Sequence, residues 1–183
     1  MLKFVNTQVT FAEIPDHITL CINLSNCPCH CSGCHSSYLA EDIGKVLTFS
    51  RIESLLDKNK GITAVCFMGG DNDPKLVNHY AKLIKESKVE HVIEVNCDYG
   101  KLLMTNYIDS PIKIGWYSGR QELAKEIDIN NFDFIKIGPY LKECGPLNCR
   151  TTNQRFYEVI HTSTNDSELH DITYKFWKNE TKD

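Results

Sequence analysis

The sequence predicts an α/β protein, an open, partial (β/α)6 barrel built on a mostly parallel sheet. Three observations carry this. Strand-like apolar runs alternate along the chain with segments of helical periodicity, the pattern of a parallel sheet with covering helices. The stretch Ile62–Met68 is a nearly unbroken apolar run, as expected of a strand covered on both faces. The strands number about six, too few for a closed eight-stranded barrel.

The elements follow in order. Residues 1–16 read as an N-terminal edge segment, in which Phe4, Val9 and Phe11 suit a short edge strand that Pro15 closes. Across His17–Leu24, Ile18, Leu20, Ile22 and Leu24 alternate with Thr19, Cys21 and Asn23, which predicts a strand. Residues His35–Leu47 form a polar connection. Ser50 is the expected N-cap of a helix, with Glu53 completing a capping box. That helix runs to about Lys58, with Ile52, Leu55 and Leu56 on one face, and Asn59, Lys60 and Gly61 stop it. Ile62–Met68 is the next strand and ends at Gly69-Gly70-Asp71. Asp73 and Pro74 suit the N-cap and first turn of a second helix, whose core stripe is Leu76, Val77, Tyr80, Leu83 and Ile84.

A third strand is expected over Val89–Val95, a short helix over Lys101–Ile108, and a fourth strand over Pro111–Tyr117. A polar helix from Gln121 to Glu126 leads to a fifth strand, Phe132–Ile137, broken by Gly138 and Pro139. Cys144–Cys149 is a turn-rich loop and Arg155–His161 the last strand. One domain is expected over residues 1–162. A polar tail follows over 163–183, with Phe176 and Trp177 as candidate anchors and its last residues expected to be partly disordered.

Composition narrows the function. A net charge of −4 argues against a nucleic-acid binder, which needs a basic footprint. No apolar run approaches the roughly 20 residues that cross a bilayer. No apolar h-region marks a signal peptide, so the expected location is cytoplasmic. Nine cysteines in such a chain point to intracellular metal or redox chemistry rather than a disulfide framework.

The cysteines concentrate in Cys27-Pro28-Cys29-His30-Cys31-Ser32-Gly33-Cys34-His35, directly after the first barrel strand. Sites in parallel sheets and barrels lie at that end of the strands. Cys27, Cys31 and Cys34 stand at C-x3-C-x2-C, a spacing that lets one loop wrap three thiolates around one inorganic centre. Iron–sulfur clusters are held by thiolates, and three ligands leave one iron open. The competing reading is a zinc knuckle drawn from Cys27, Cys29, His30, Cys31, Cys34 and His35. Zinc sites usually come as two separated pairs, which this loop lacks. Cys29 reads as a bystander inside the motif and Cys21 as a small buried thiol. Cys97, Cys144 and Cys149 read as thiols without a ligand role, since His161 and His170 stand at no recognisable ligand spacing.

Two further strand ends carry candidate site residues. At Gly69 and Gly70 the backbone is free of Cβ and can approach a ligand closely. Asp71 and nearby carbonyls can accept hydrogen bonds from an ammonium group; the plain alternative is a strand-to-helix turn. Trp116-Tyr117-Ser118-Gly119 ends the fourth strand, either at a ligand or simply filling core.

C-x3-C-x2-C is also the cluster motif of the radical S-adenosylmethionine (SAM) enzymes, and Cys27, Cys31 and Cys34 match it one for one. Cys21 through His35 resembles the activating proteins of anaerobic ribonucleoside-triphosphate reductase. Gly69-Gly70-Asp71 resembles the element that binds the methionine end of SAM, and Thr152-Asn153-Gln154-Arg155 a late segment of these activases. The likeness spans residues 17 to about 155, and departs at Glu13-Ile14-Pro15-Asp16, where a glycine-rich turn is common.

The resemblance implies a partial barrel of the radical SAM type. It implies a [4Fe-4S] cluster on Cys27, Cys31 and Cys34, SAM at the open iron, and a glycyl radical formed on the reductase large subunit. A flavodoxin-type protein would donate the electron. Gly33, Cys34 and His35 would edge the cluster; Gly69, Gly70, Asp71, Tyr117 and Ser118 would contact SAM. Two alternatives stand beside it. One is another compact radical SAM enzyme, an activase of a different partner or a carboxydeazaguanine synthase. The other is a zinc-binding interaction module.

Overall fold

The computed structural model describes residues 1–97, 100–109, 112–162 and 166–177, and gives the backbone alone for 88–97 and 100–109. The strands are β1 (Lys3–Thr10), β2 (Thr19–Leu24), β3 (Lys45–Val46), β4 (Ala64–Met68), β5 (Lys88–Cys97), β6 (Gly100–Asp109), β7 (Lys113–Tyr117), β8 (Phe134–Ile137), β9 (Arg155–His161) and β10 (Ser167–Asp171). Two α-helices are described, α1 (Phe49–Lys58) and α2 (Pro74–Glu86). Eight strands make one sheet in the order β10-β9-β8-β7-β4-β2-β1-β3, and β5 and β6 make a separate hairpin.

This corrects the expected (β/α)6 barrel. Among the described residues, only β2·β4, β4·β7 and β7·β8 pair in parallel; β1·β2, β1·β3, β8·β9, β9·β10 and β5·β6 are antiparallel. The result is a mixed sheet with a parallel centre and antiparallel flanks, carrying too few helices for a barrel. Three local causes account for the difference. Residues 101–108, expected as a helix, extend as β6 and pair with β5. Thr105, Tyr107 and Ile108 are residues that favour strands. The third expected strand is thereby diverted into the hairpin and does not join the sheet. Residues 121–126 form bends and turns rather than a helix, consistent with a segment too short to repay nucleation.

Smaller differences follow the same physics. The cap of α1 is Thr48, whose Oγ1 accepts from Arg51 N at 3.3 Å; Ser50 lies inside the first turn. Asp73 caps α2 as expected, accepting from Leu76 N at 3.2 Å, with Pro74 leading the helix. Strand β1 is flanked on both sides, although β3 covers only Lys3 and Phe4. The tail adds β10 to the sheet, and Phe176 docks with its ring 4.8 Å from that of Phe156. Residues 178–183, part of the segment expected to be disordered, lie outside the described residues.

Both helices pack on one face of the sheet. There Ile52, Val77, Tyr80, Ala81 and Ile84 bury against Leu20, Ile22, Val65, Phe67, Trp116 and Ile135. Burial of this apolar area, at about 25 cal/mol per Å2, is what makes the layer stable. The opposite face carries a second cluster of Ile14, Cys21, Ala64, Cys66, Phe134, Phe156 and Ile172. No α-helix covers it among the described residues, and a cavity opens beside it. No helix among the described residues is long and apolar enough to cross a membrane.

Candidate functional site

The floor of the cavity is set by strand register. Asn6 pairs with Asn23, Asn23 with Met68, Met68 with Tyr117 and Tyr117 with Lys136, a single row across five strands. All five residues line one cavity of about 940 Å3, within the size range of small-molecule sites. One step down each parallel strand the row is Cys21, Cys66, Gly115 and Phe134, mostly packed core. Burial pushes the Cys21 thiol up to about 12 and raises Cys66 well above its ordinary value, so both remain protonated and inert. The cavity therefore lies at the C-terminal ends of the parallel strands.

The cysteine loop forms one wall. Cys27, Cys29, Cys31, Cys34 and His35 all line the cavity. Asn26 and His30 hold positive φ angles of 60° and 43°, which turn the chain sharply on either side of Cys27 and Cys29. Hydrogen bonds from Cys27 N to Leu39 O (3.0 Å) and from Cys34 N to Cys31 O (3.2 Å) hold the loop in shape. Gly33 stands behind it, where a Cβ would lie 3.4 Å from the Tyr140 ring.

Cys29, expected to be idle, is turned into the centre of this group. Its thiol donates to Asp71 Oδ2 at 3.7 Å, and its Sγ lies within 4.8 Å of the Cys27 sulfur. The neighbouring Cys29 side chain lowers Cys27 to about 6 against the opposing effect of burial, with help from the backbone of Cys29 and His30. Cys29 is raised in turn, first by its pairing with Cys27 and then by burial and the Asp71 charge. Cys27 is thus poised as a thiolate, the form that binds metals.

The Gly69–Asp71 turn forms the facing wall, and its parts do different work. Gly69 lines the cavity, and its carbonyl accepts from Trp116 Nε1 at 2.8 Å. Gly70 lies beneath: a Cβ there would meet Val77 Cγ2 at 2.6 Å and Leu24 Cδ1 at 2.8 Å, at a φ of +90°. Gly70→Ala is therefore expected to destabilise the protein by about 2 kcal/mol, combining overpacking and left-handed strain. Urea unfolding checks this; an unchanged midpoint would contradict it.

Asp71 is buried and already engaged. Its carboxylate accepts from Ser118 Oγ at 2.6 Å and Gly119 N at 2.9 Å, with Arg120 Nε at 3.4 Å. Arg120 Nη2 also donates to Asp71 O at 2.7 Å. Asp71 thus ties the end of β4 to the turn after β7. The Ser118 hydroxyl is committed to Asp71 and accepts from Arg120 N at 3.0 Å. The Tyr117 hydroxyl donates to Glu13 O at 2.5 Å, leaving its ring as cavity wall.

Lys136 was not singled out from the sequence. It is a buried lysine in the short strand β8, donating to Gly138 O at 2.8 Å. Burial lowers it from 10.5 to about 8, partly offset by Cys31 first and then by Asp71, Cys29 and Cys34. The available signal was a lysine at the last inward position of an apolar strand. Between about 8 and 10.5 the unfolded chain holds a proton that the folded chain has released, so folding gains stability as pH rises through that window. Cluster-free wild type is expected to gain up to about 3 kcal/mol over Lys136→Met between those limits. Parallel stability curves from chemical denaturation would contradict this.

The late segment closes the rim. Pro146, Leu147 and Asn148, between Cys144 and Cys149, line the cavity. Asn153 Nδ2 donates to Pro139 O at 2.9 Å, and Gln154 Nε2 to Gly138 O at 3.4 Å. Thr152–Arg155 therefore straps the turn after β8. The side chain of Cys97 lies outside the described residues.

No family model, no curated protein and no solved structure matches this chain. Its chemistry is read from its own residues. The donor set suits an iron–sulfur cluster: Cys27, Cys31 and Cys34 share one cavity, one of them held toward the thiolate, with Lys136 in its floor.

Proposed function

We propose that the protein is a radical SAM enzyme that generates a glycyl radical on an anaerobic ribonucleotide reductase. The observation that carries this reading is the convergence of Cys27, Cys31 and Cys34 with Gly69 and Asp71 on one cavity. It rests on these residues and not on the overall architecture.

Cys27, Cys31 and Cys34 would hold a [4Fe-4S] cluster, with SAM beside it. When bound, the pair supplies one-electron cleavage of the sulfonium and a carbon radical that takes a hydrogen from glycine Cα. The chain's own residues position and shield. The Lys136 ammonium lies where it can balance anionic sulfur and a ligand carboxylate. Gly69, free of a side chain, lets a ligand lie against the backbone. Asp71 acts indirectly, by fixing the Ser118–Arg120 turn. Met68, Tyr117 and Leu147 give apolar walls that exclude water. No lid domain covers the cavity among the described residues, which favours a loop of a larger protein over a small enclosed substrate. A flavodoxin-type donor and a cytoplasmic, anaerobic setting belong to the same reading, since oxygen destroys carbon radicals and exposed clusters.

The test is to mix anaerobically reconstituted protein with SAM, reductant and the reductase, then record an EPR spectrum. A glycine-centred doublet is expected. Cleavage of SAM without that doublet would move the assignment to a small-molecule radical enzyme.

A further inference from the structure

Among the described residues, one group of thiol and carboxylate donors closes tightly enough for a single ion: Cys27, Cys29 and Asp71, with donor atoms all within 4.8 Å of one another. This is not the C-x3-C-x2-C set. It shares Cys27 with that set but takes Cys29 in place of Cys31 and Cys34.

We propose that Cys27, Cys29 and Asp71 form a mononuclear site for a zinc-like divalent cation, used when no cluster is present. Bonds of about 2.3 Å to sulfur and 2.0 Å to oxygen place tetrahedral donors about 3.5–4 Å apart. The Cys29–Asp71 pair stands at 3.7 Å already, so metal binding needs little movement there. Three protein donors and a water complete the tetrahedron.

Support for the donors is built in. Asp71 is 1% exposed and held by Ser118, Gly119 and Arg120, the kind of outer-shell anchoring that fixes a ligand. Gly119 leaves the room that Cys29 needs, since a Cβ there would stand 2.7 Å from its Sγ. On binding, the Cys29 proton, now donated to Asp71, leaves to solvent with any proton on Cys27, and no electrons move. Because Cys27 serves both sets, the ion and the cluster exclude each other. That exclusion rests on the proposed function; the site itself does not.

The experiment titrates the full-length, cluster-free chain with cobalt(II). Wild type, Cys31→Ser and Cys34→Ser are expected to bind one cobalt with thiolate-to-metal charge-transfer bands and tetrahedral visible bands. Cys29→Ser and Asp71→Asn, both near-isosteric, are expected to weaken binding by more than about tenfold. Zinc preloading should block cluster assembly in wild type but not in Cys29→Ser. Cobalt bound equally well by Cys29→Ser and Asp71→Asn, or lost equally in Cys31→Ser and Cys34→Ser, would overturn the site. A cobalt result as expected, in a protein that never assembles a cluster, would keep the site and remove the radical reading.

Discussion

Alanine at any one of Cys27, Cys31 or Cys34 is expected to leave the reconstituted protein colourless and unable to cleave SAM. All three thiols come from one nine-residue loop and line one cavity. Two thiolates cannot hold a cubane by three corners, and among the described residues no other free thiol lines the cavity except Cys29. Loss of activity should exceed the roughly 100-fold that removal of an outer-shell partner costs. Cys29→Ala should behave differently. It loses a hydrogen bond to Asp71 and a neighbour of Cys27, but no cluster ligand. Iron, acid-labile sulfide and 5′-deoxyadenosine yield separate the two cases. Equal loss in Cys29→Ala would show that the ligand set is wrong.

Asp71→Ala is expected to be the most destabilising single change at the site, by about 3 kcal/mol in the cluster-free protein. The carboxylate is buried and holds the Ser118 hydroxyl, the Gly119 N–H and the Arg120 guanidinium. Its removal leaves two donors facing a void and a guanidinium without its counter-charge, each with a desolvation cost. Arg120 is partly exposed, which tempers the electrostatic part. Asp71→Asn keeps the volume and one acceptor and should cost less than half as much. Guanidinium denaturation measures both. Equal small effects would mean that Asp71 does not tie β4 to the β7 turn.

The parallel centre of the sheet was legible because its strands announce themselves. His17–Leu24 alternates, Ile62–Met68 is apolar throughout, and each ends at glycine, cysteine or aspartate where the cavity lies. The α2 start was legible too, since Asp73-Pro74 carries its own capping chemistry. The antiparallel flanks were not. Strand direction is decided by which edge is free when the chain returns, and alternation alone does not encode it. Residues 101–108 carry both helical and strand-like features, and pairing with β5 decided between them.

At the site, local motifs were readable and cross-strand neighbours were not. Lys136 and Asn23 owe their place to register with Tyr117 and Met68, more than 18 residues away in sequence. Asp71 was visible as a turn residue, but its partners at positions 118–120 come from the turn after another strand. Cys29 was passed over because the motif spacing excludes it, whereas its contact with Asp71 depends on a close approach that only Gly119 permits.

The most direct measurement is product formation by the reconstituted wild-type chain alone, with SAM and a strong reductant under anoxic conditions. A brown protein carrying four irons per chain, which releases methionine and 5′-deoxyadenosine, is expected. A fully loaded cluster that leaves SAM intact, or a colourless protein that takes up zinc but never iron and sulfide, would contradict it.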